Sequence, residues 1–118
     1  MKTDRLTIVL LRGPHSTQHA NFALEIADKA LNLKLNVSLF LYQDGVYIAE
    51  KKQVVKFFPD ICEKLKKLVE KGLEVKACAR CAAARGYSDT SELIEGVEIS
   101  SLDLLPTWIK DSKTIVVG

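Results

Sequence analysis

The chain has 118 residues, 47% of them hydrophobic, which suits one domain, spanning 1–118, with a buried core. Seventeen Lys and Arg against fifteen Asp and Glu leave a net charge of +2, too small a field to mark a nucleic-acid or anionic-membrane partner. No segment approaches the roughly 18 consecutive apolar residues of a membrane span, so a cytoplasmic protein whose cysteines stay reduced is expected.

Arg5–Leu11 is aliphatic and β-branched and ends in Gly13-Pro14, the pattern of a buried strand rather than a signal peptide. From Thr17, Ala20, Ala23, Leu24, Ala27, Ala30 and Leu31 recur at helical spacing to about Leu33, with Ser16 or Thr17 available as cap. Val37–Tyr42 reads as a second strand broken by Gln43-Asp44-Gly45, with a short helix over Val46–Lys51. Pro59–Lys71 puts Ile61, Cys62, Leu65, Leu68 and Val69 on one face and stops at Gly72, an amphipathic helix with a glycine C-terminus. Leu73–Cys78 is a third strand, followed by an alanine-rich helix as far as Gly86. A strand over Gly96–Ser100, a helix over Leu102–Asp111 and a strand over Thr114–Val117 close the chain.

Strands alternating with helices imply right-handed crossovers and a mostly parallel five-stranded sheet in an α/β fold. Sites in such sheets form outside the carboxyl ends of the strands, near the topological switch point. This selects Gly13–Gln18, Tyr42–Tyr47 and Cys78–Tyr87, which share one rim if the strand order is 2-1-3.

Cys78 falls where a strand meets a helix, so backbone N–H groups and the helix dipole would favour its thiolate, with Arg80 and Arg85 adding to the effect. A thiolate serves as nucleophile or metal ligand; the plain alternative is a small buried residue. Cys81, one helical turn later, completes a C-x-x-C pair and reads either as a resolving thiol or as one more small helix residue. Zinc would need two further ligands; His15 and His19 are the only histidines, and the set lacks finger spacing. His15 reads as an exposed loop residue or as a proton carrier beside the thiol, and His19 as solvated. The Gly13–Gln18 loop lacks the features of a P-loop, and no G-x-G-x-x-G follows strand one, so no nucleotide or other cofactor is expected. Cys62 and Trp108 read as packing residues, and Lys64, Lys66, Lys67 and Lys71 as a solvated face. The apolar groups around Phe57, Phe58 and Trp108 could serve self-association.

Three features together carry a resemblance: the first strand ending in Gly-Pro with Thr17-Gln18 opening the helix, Leu39–Tyr42 followed by Asp44-Gly-Val-Tyr47, and Cys78 in a Cys-x7-Gly spacing to Gly86. The whole chain resembles the DsrE/DsrF-like, TusD-related sulfur-relay family. The resemblance implies a flavodoxin-like three-layer sandwich and association into dimers, trimers or hexamers. It also implies a loop cysteine, here Cys78, that accepts persulfide sulfur from one protein and passes it to another. Cys81 departs from the TusD-like pattern and matches C-x-x-C relatives. Asp44 and Tyr47 are expected to shape the pocket and His15 to assist protonation. A thiol-disulfide oxidoreductase and a non-catalytic binding module are the other readings the residues admit.

Overall fold

The computed structural model describes residues 5–14, 18–51 and 60–118. Within these, strands β1 (Arg5–Leu10), β2 (Asn36–Leu41), β3 (Glu74–Cys78), β4 (Val97–Ser100) and β5 (Lys113–Val117) alternate with helices α1 (His19–Asn32), α2 (Ile61–Glu70), α3 (Ala79–Ala84) and α4 (Leu104–Lys110). The strands form one five-stranded sheet in the order β4-β3-β2-β1-β5, and every pairing is parallel. The order corrects the 2-1-3 arrangement weighed from the sequence, because β3 pairs with β2 and not with β1. Alternation of elements dictates parallel strands, but a right-handed crossover can step to either side, and local sequence does not say which.

Three successive steps, from β1 to β4, run in one direction, so right-handedness puts α1, α2 and α3 over one face; the return to β5 carries α4 over the other. The first face is apolar: Ile8, Leu10, Val37, Leu39, Leu41, Val75, Ala77 and Val97 are buried beneath the helices. The second is mixed, since its positions include Arg5, Thr7, Val9, Ser38, Phe40, Glu74, Lys76, Cys78 and Glu98. Trp108 of α4 meets Phe40 edge to face, ring centroids 6.2 Å apart, and Arg5 lies over the indole. Trp108 thus packs its helix onto the sheet as the sequence implied. Buried Thr7 is satisfied by Ser112, 2.8 Å away, and Ser38 accepts a hydrogen bond from Arg5.

Alpha-2 starts at an Asp60 cap that accepts the Glu63 N–H and ends in a Schellman turn, Leu73 N–H bonding Leu68 O with Gly72 at φ 112°. Its lysines are less free than the pattern implied. Lys64 reaches Asn21 and Glu25, and Lys71 reaches Asp28 and Asn32, tying α2 to α1. The short helix expected over 46–51 is instead a 3-10 segment over Gln43–Ala49, which starts earlier because the tight turn begins directly after Tyr42. The expected caps Ser16 and Thr17, and Phe57 and Phe58, lie outside the described residues. No helix among the described residues is long and apolar enough to cross a membrane.

Candidate functional site

The connection after β3 turns into α3 over one face of the sheet, whereas the connection after β4 leads to α4 over the other. Adjacent strands whose crossovers part in this way leave a crevice at their carboxyl ends. Cys78 pairs with Ser100 across that boundary. The crevice is a cleft of about 420 Å³ lined by Tyr42, Cys78, Ala79, Arg80, Cys81, Ser101, Leu102 and Asp103. A larger cavity of about 630 Å³ lies beside β4, around Thr90–Glu98, and contains neither thiol of the pair.

Both thiols sit at the floor of the cleft: Cys78 is 2% exposed and Cys81 9%. Cys78 is the N-terminal cap residue of α3, with extended backbone and no side-chain capping bond. Cys81 lies one turn on and lines the same cleft as Cys78. Cys81 Sγ also accepts the backbone N–H of Gln43 at 3.0 Å. Burial pushes the Cys81 thiol above its ordinary value; the Gln43 amide and Arg85 draw it back, while Cys78 adds to the rise. Cys81 is therefore a protonated thiol at neutral pH. Cys62 belongs to the core, as expected; its thiol donates to Glu50 O at 3.3 Å and is raised by burial.

The 3-10 segment is fixed by backbone approach. An added Cβ at Gly45 would stand 2.2 Å from Leu10 O, so only glycine lets the segment close on the end of β1. Buried Gly13 packs against Asp44 and Tyr47, so the loop after β1 abuts the segment after β2. Arg85 then joins this segment to α3. Its Nε donates to Asp44 Oδ1 at 2.9 Å, its other arm donates to Cys81 O at 3.1 Å, and its guanidinium lies over the Tyr47 ring. Tyr47 meets Tyr87 edge to face at 6.0 Å, and Tyr87 hydroxyl donates to Glu50.

The structure thus brings Cys78, Cys81, Arg80, Arg85, Asp44 and Tyr47 into one neighbourhood, in two layers: Arg80 lines the cleft, while Arg85, Asp44 and Tyr47 buttress its wall. His15 lies outside the described residues. His19 is half-buried with Nδ1 shut off from solvent, rather than solvated, because the first turn of α1 turns it inward. Among the described residues no group of three or more His, Cys, Asp or Glu is placed to hold a metal ion. Tyr42 and Gln43 fall within the selected segment Tyr42–Tyr47 but were given no role of their own, and Ser101–Asp103 were not singled out by the sequence. The strand register would have found Ser101–Asp103, since Ser100 lies beside Cys78; an amide donor such as Gln43 leaves no signature in residue type.

Residues 4–117 match the model of the DsrE/DsrF-like family. The uncharacterized protein MK0008 of Methanopyrus kandleri is 37% identical over 113 residues, 96% of this chain and 93% of that one. The uncharacterized protein MJ0989 of Methanocaldococcus jannaschii is 34% identical over 112 residues, 95% and 97% of the two chains. Among solved structures, the ychN protein from E. coli superposes with a TM-score of 0.89 at 28% identity, covering 98% of this chain and 99% of that one. MTH1491 of Methanobacterium thermoautotrophicum shares the fold, with a TM-score of 0.73 at 17% identity over 95% and 97% of the chains.

Proposed function

The chain belongs to the DsrE/DsrF-like family, which is tied to sulfur relay, and from that premise we propose that it is a sulfur carrier holding persulfide on Cys78. The observation that carries the reading is the pair of thiols on the floor of a cleft at the parting of two crossovers. A persulfide needs a thiolate to form it, and a sheltered site with N–H donors to hold the terminal sulfur. The start of α3, the Gln43 amide and Arg85 supply donors and positive charge at this floor.

Cys81 is assigned the later step. Once deprotonated, its sulfur attacks the inner sulfur of the Cys78 persulfide, the outer sulfur leaves as hydrosulfide, and a Cys78–Cys81 disulfide remains. Arg80 guides the incoming group; Arg85, Asp44 and Tyr47 hold the wall; His15 assists proton transfer. The protein acts as a single domain over 1–118, in the cytoplasm, self-associated and passing its sulfur on to an acceptor protein.

The test is intact mass and peptide mapping of the reduced chain after incubation with a persulfide donor, beside Cys78→Ser and Cys81→Ser variants. One added sulfur on Cys78, retained longer in Cys81→Ser, is expected. If Cys78→Ser accepts sulfur as well as the unmodified chain, the assignment is wrong. The C-x-x-C pair lining a single cleft favours one second reading, a thiol-disulfide oxidoreductase. Formation of a reversible disulfide with a defined potential and no retained sulfur would select it.

A further inference from the structure

Two charged side chains, Arg80 and Asp103, line the cleft with no ion pair among the described residues. Arg80 is exposed and makes no ion pair or hydrogen bond among the described residues. Asp103 is the N-terminal cap residue of α4, yet its carboxylate does not cap; its own N–H instead donates to Ser101 Oγ at 3.1 Å. The two belong to different crossovers and meet only at this cleft.

The depth of the thiols restricts what can deliver sulfur to them. With Cys78 and Cys81 2% and 9% exposed, a cysteine on a folded partner would have to bring its own backbone into the cleft. A volume of about 420 Å³ is that of a small-molecule site. One cation and one anion on such a site complement a molecule carrying both a carboxylate and an ammonium group. Leu102 and Tyr42 line the same space and offer apolar surface to the short carbon chain between them.

We propose, building on the carrier reading, that Cys78 takes its sulfur from a small zwitterionic donor, an α-amino-acid hydropersulfide, held with its carboxylate on Arg80 and its ammonium group on Asp103. The Cys78 thiolate attacks the outer sulfur of R–S–SH. The donor S–S bond breaks as the new Cys78 S–S bond forms, the proton stays on the transferred sulfur, and R–S⁻ leaves. The sulfane sulfur moves without any added oxidant or reductant.

The test measures the initial rate of Cys78 persulfidation in the full chain by mass spectrometry, with three probes. These are the hydropersulfides of cysteine, of 3-mercaptopropionate, which lacks the ammonium group, and of cysteamine, which lacks the carboxylate. Each rate is normalised to that of a small reference thiol. Cysteine hydropersulfide is expected to load about tenfold faster than either analogue, the effect of one charge-assisted contact. Arg80→Gln should erase its advantage over the cysteamine probe and Asp103→Asn its advantage over the mercaptopropionate probe. Equal normalised rates for all three, unchanged in both variants, would overturn the proposal. Loading by a protein-bound persulfide but by none of the small probes would overturn it and leave the carrier reading standing. No loading from any donor would end both.

Discussion

Cys81 Sγ receives the backbone N–H of Gln43 at 3.0 Å, and Gln43 adopts φ 52°, in the left-handed region that costs a residue with a Cβ about 1–2 kcal/mol. Strain of this kind persists where surrounding structure over-determines it, and it clusters at working sites. Gln43→Gly is expected to keep the amide in place and raise stability by about 1 kcal/mol. Gln43→Ile, whose branched Cβ resists this conformation, should lower stability and turn the donor away from the sulfur. Urea unfolding and native-state alkylation of Cys81 check both: the isoleucine variant should show a further rise in the apparent pKa of Cys81, and the glycine variant no change.

The resolving role proposed for Cys81 carries its own pH dependence. Burial, reinforced by Cys78, holds the Cys81 thiol above the ordinary 9.0 despite the Gln43 amide and Arg85. Its reactive thiolate therefore grows as pH rises past 9.0, later than in an unfolded chain. Release of hydrosulfide from persulfidated protein should accelerate steadily from neutral pH into the alkaline range, and Cys81→Ser should abolish that dependence. A release rate already flat at pH 7 would contradict the assignment.

Gly45 is set by distance to the backbone, with no unusual φ of its own. A methyl group there would stand 2.2 Å from Leu10 O and 3.0 Å from the Leu10 carbonyl carbon, neither of which can swing aside. Gly45→Ala should cost about 2–3 kcal/mol, at the upper end of overpacking penalties, and shift the 3-10 segment that positions the Gln43 amide. Denaturant unfolding measures the first effect, and Cys81 alkylation the second.

Most of the fold was legible because helices and strands differ in apolar period. Alpha-1, α2 and all five strands lie where the sequence put them, to within a residue or two at most ends. The order of the strands was not legible, because stepping left or right leaves the same local pattern, and β4, the partner of β3, lies beyond an entire helix in the chain. The same gap separates what was seen of the site from what was not. Cys78, Cys81, Arg85 and Asp44 stood out by residue type and spacing. Asp103 reaches the cleft only through the Cys78–Ser100 register, and Gln43 acts through its main chain, which its side chain does not advertise.

Arg85 and Asp44 form the bridge between α3 and the 3-10 segment, with Nε and the nearer arm of the guanidinium 2.9 and 2.8 Å from one carboxylate oxygen. Asp44 is well exposed, so the pair itself is expected to contribute at most about 1 kcal/mol, measured as the coupling term of an Arg85→Gln, Asp44→Asn double-mutant cycle. The guanidinium fork also holds Cys81 O and covers Tyr47, contacts a lysine cannot reproduce together. Arg85→Lys should therefore change the rate of the proposed hydrosulfide-releasing step more than stability.

Tyr87 governs the alkaline limit of stability. Burial first, then its hydrogen bond to Glu50 and the Glu50 charge, push its hydroxyl far above the ordinary 10.0. A group whose folded pKa is raised binds its proton more tightly in the native state, so the stabilisation is complete below pH 10 and declines as pH rises beyond it. Cys62 and Cys81, raised from 9.0, begin the same decline about one unit earlier. Stability by urea unfolding should thus be level from neutrality to about pH 9 and fall above it. Tyr87→Phe should lower the plateau by about 1 kcal/mol, through the lost hydrogen bond, and flatten the slope above pH 10. An unchanged alkaline slope in Tyr87→Phe would show that another group titrates there.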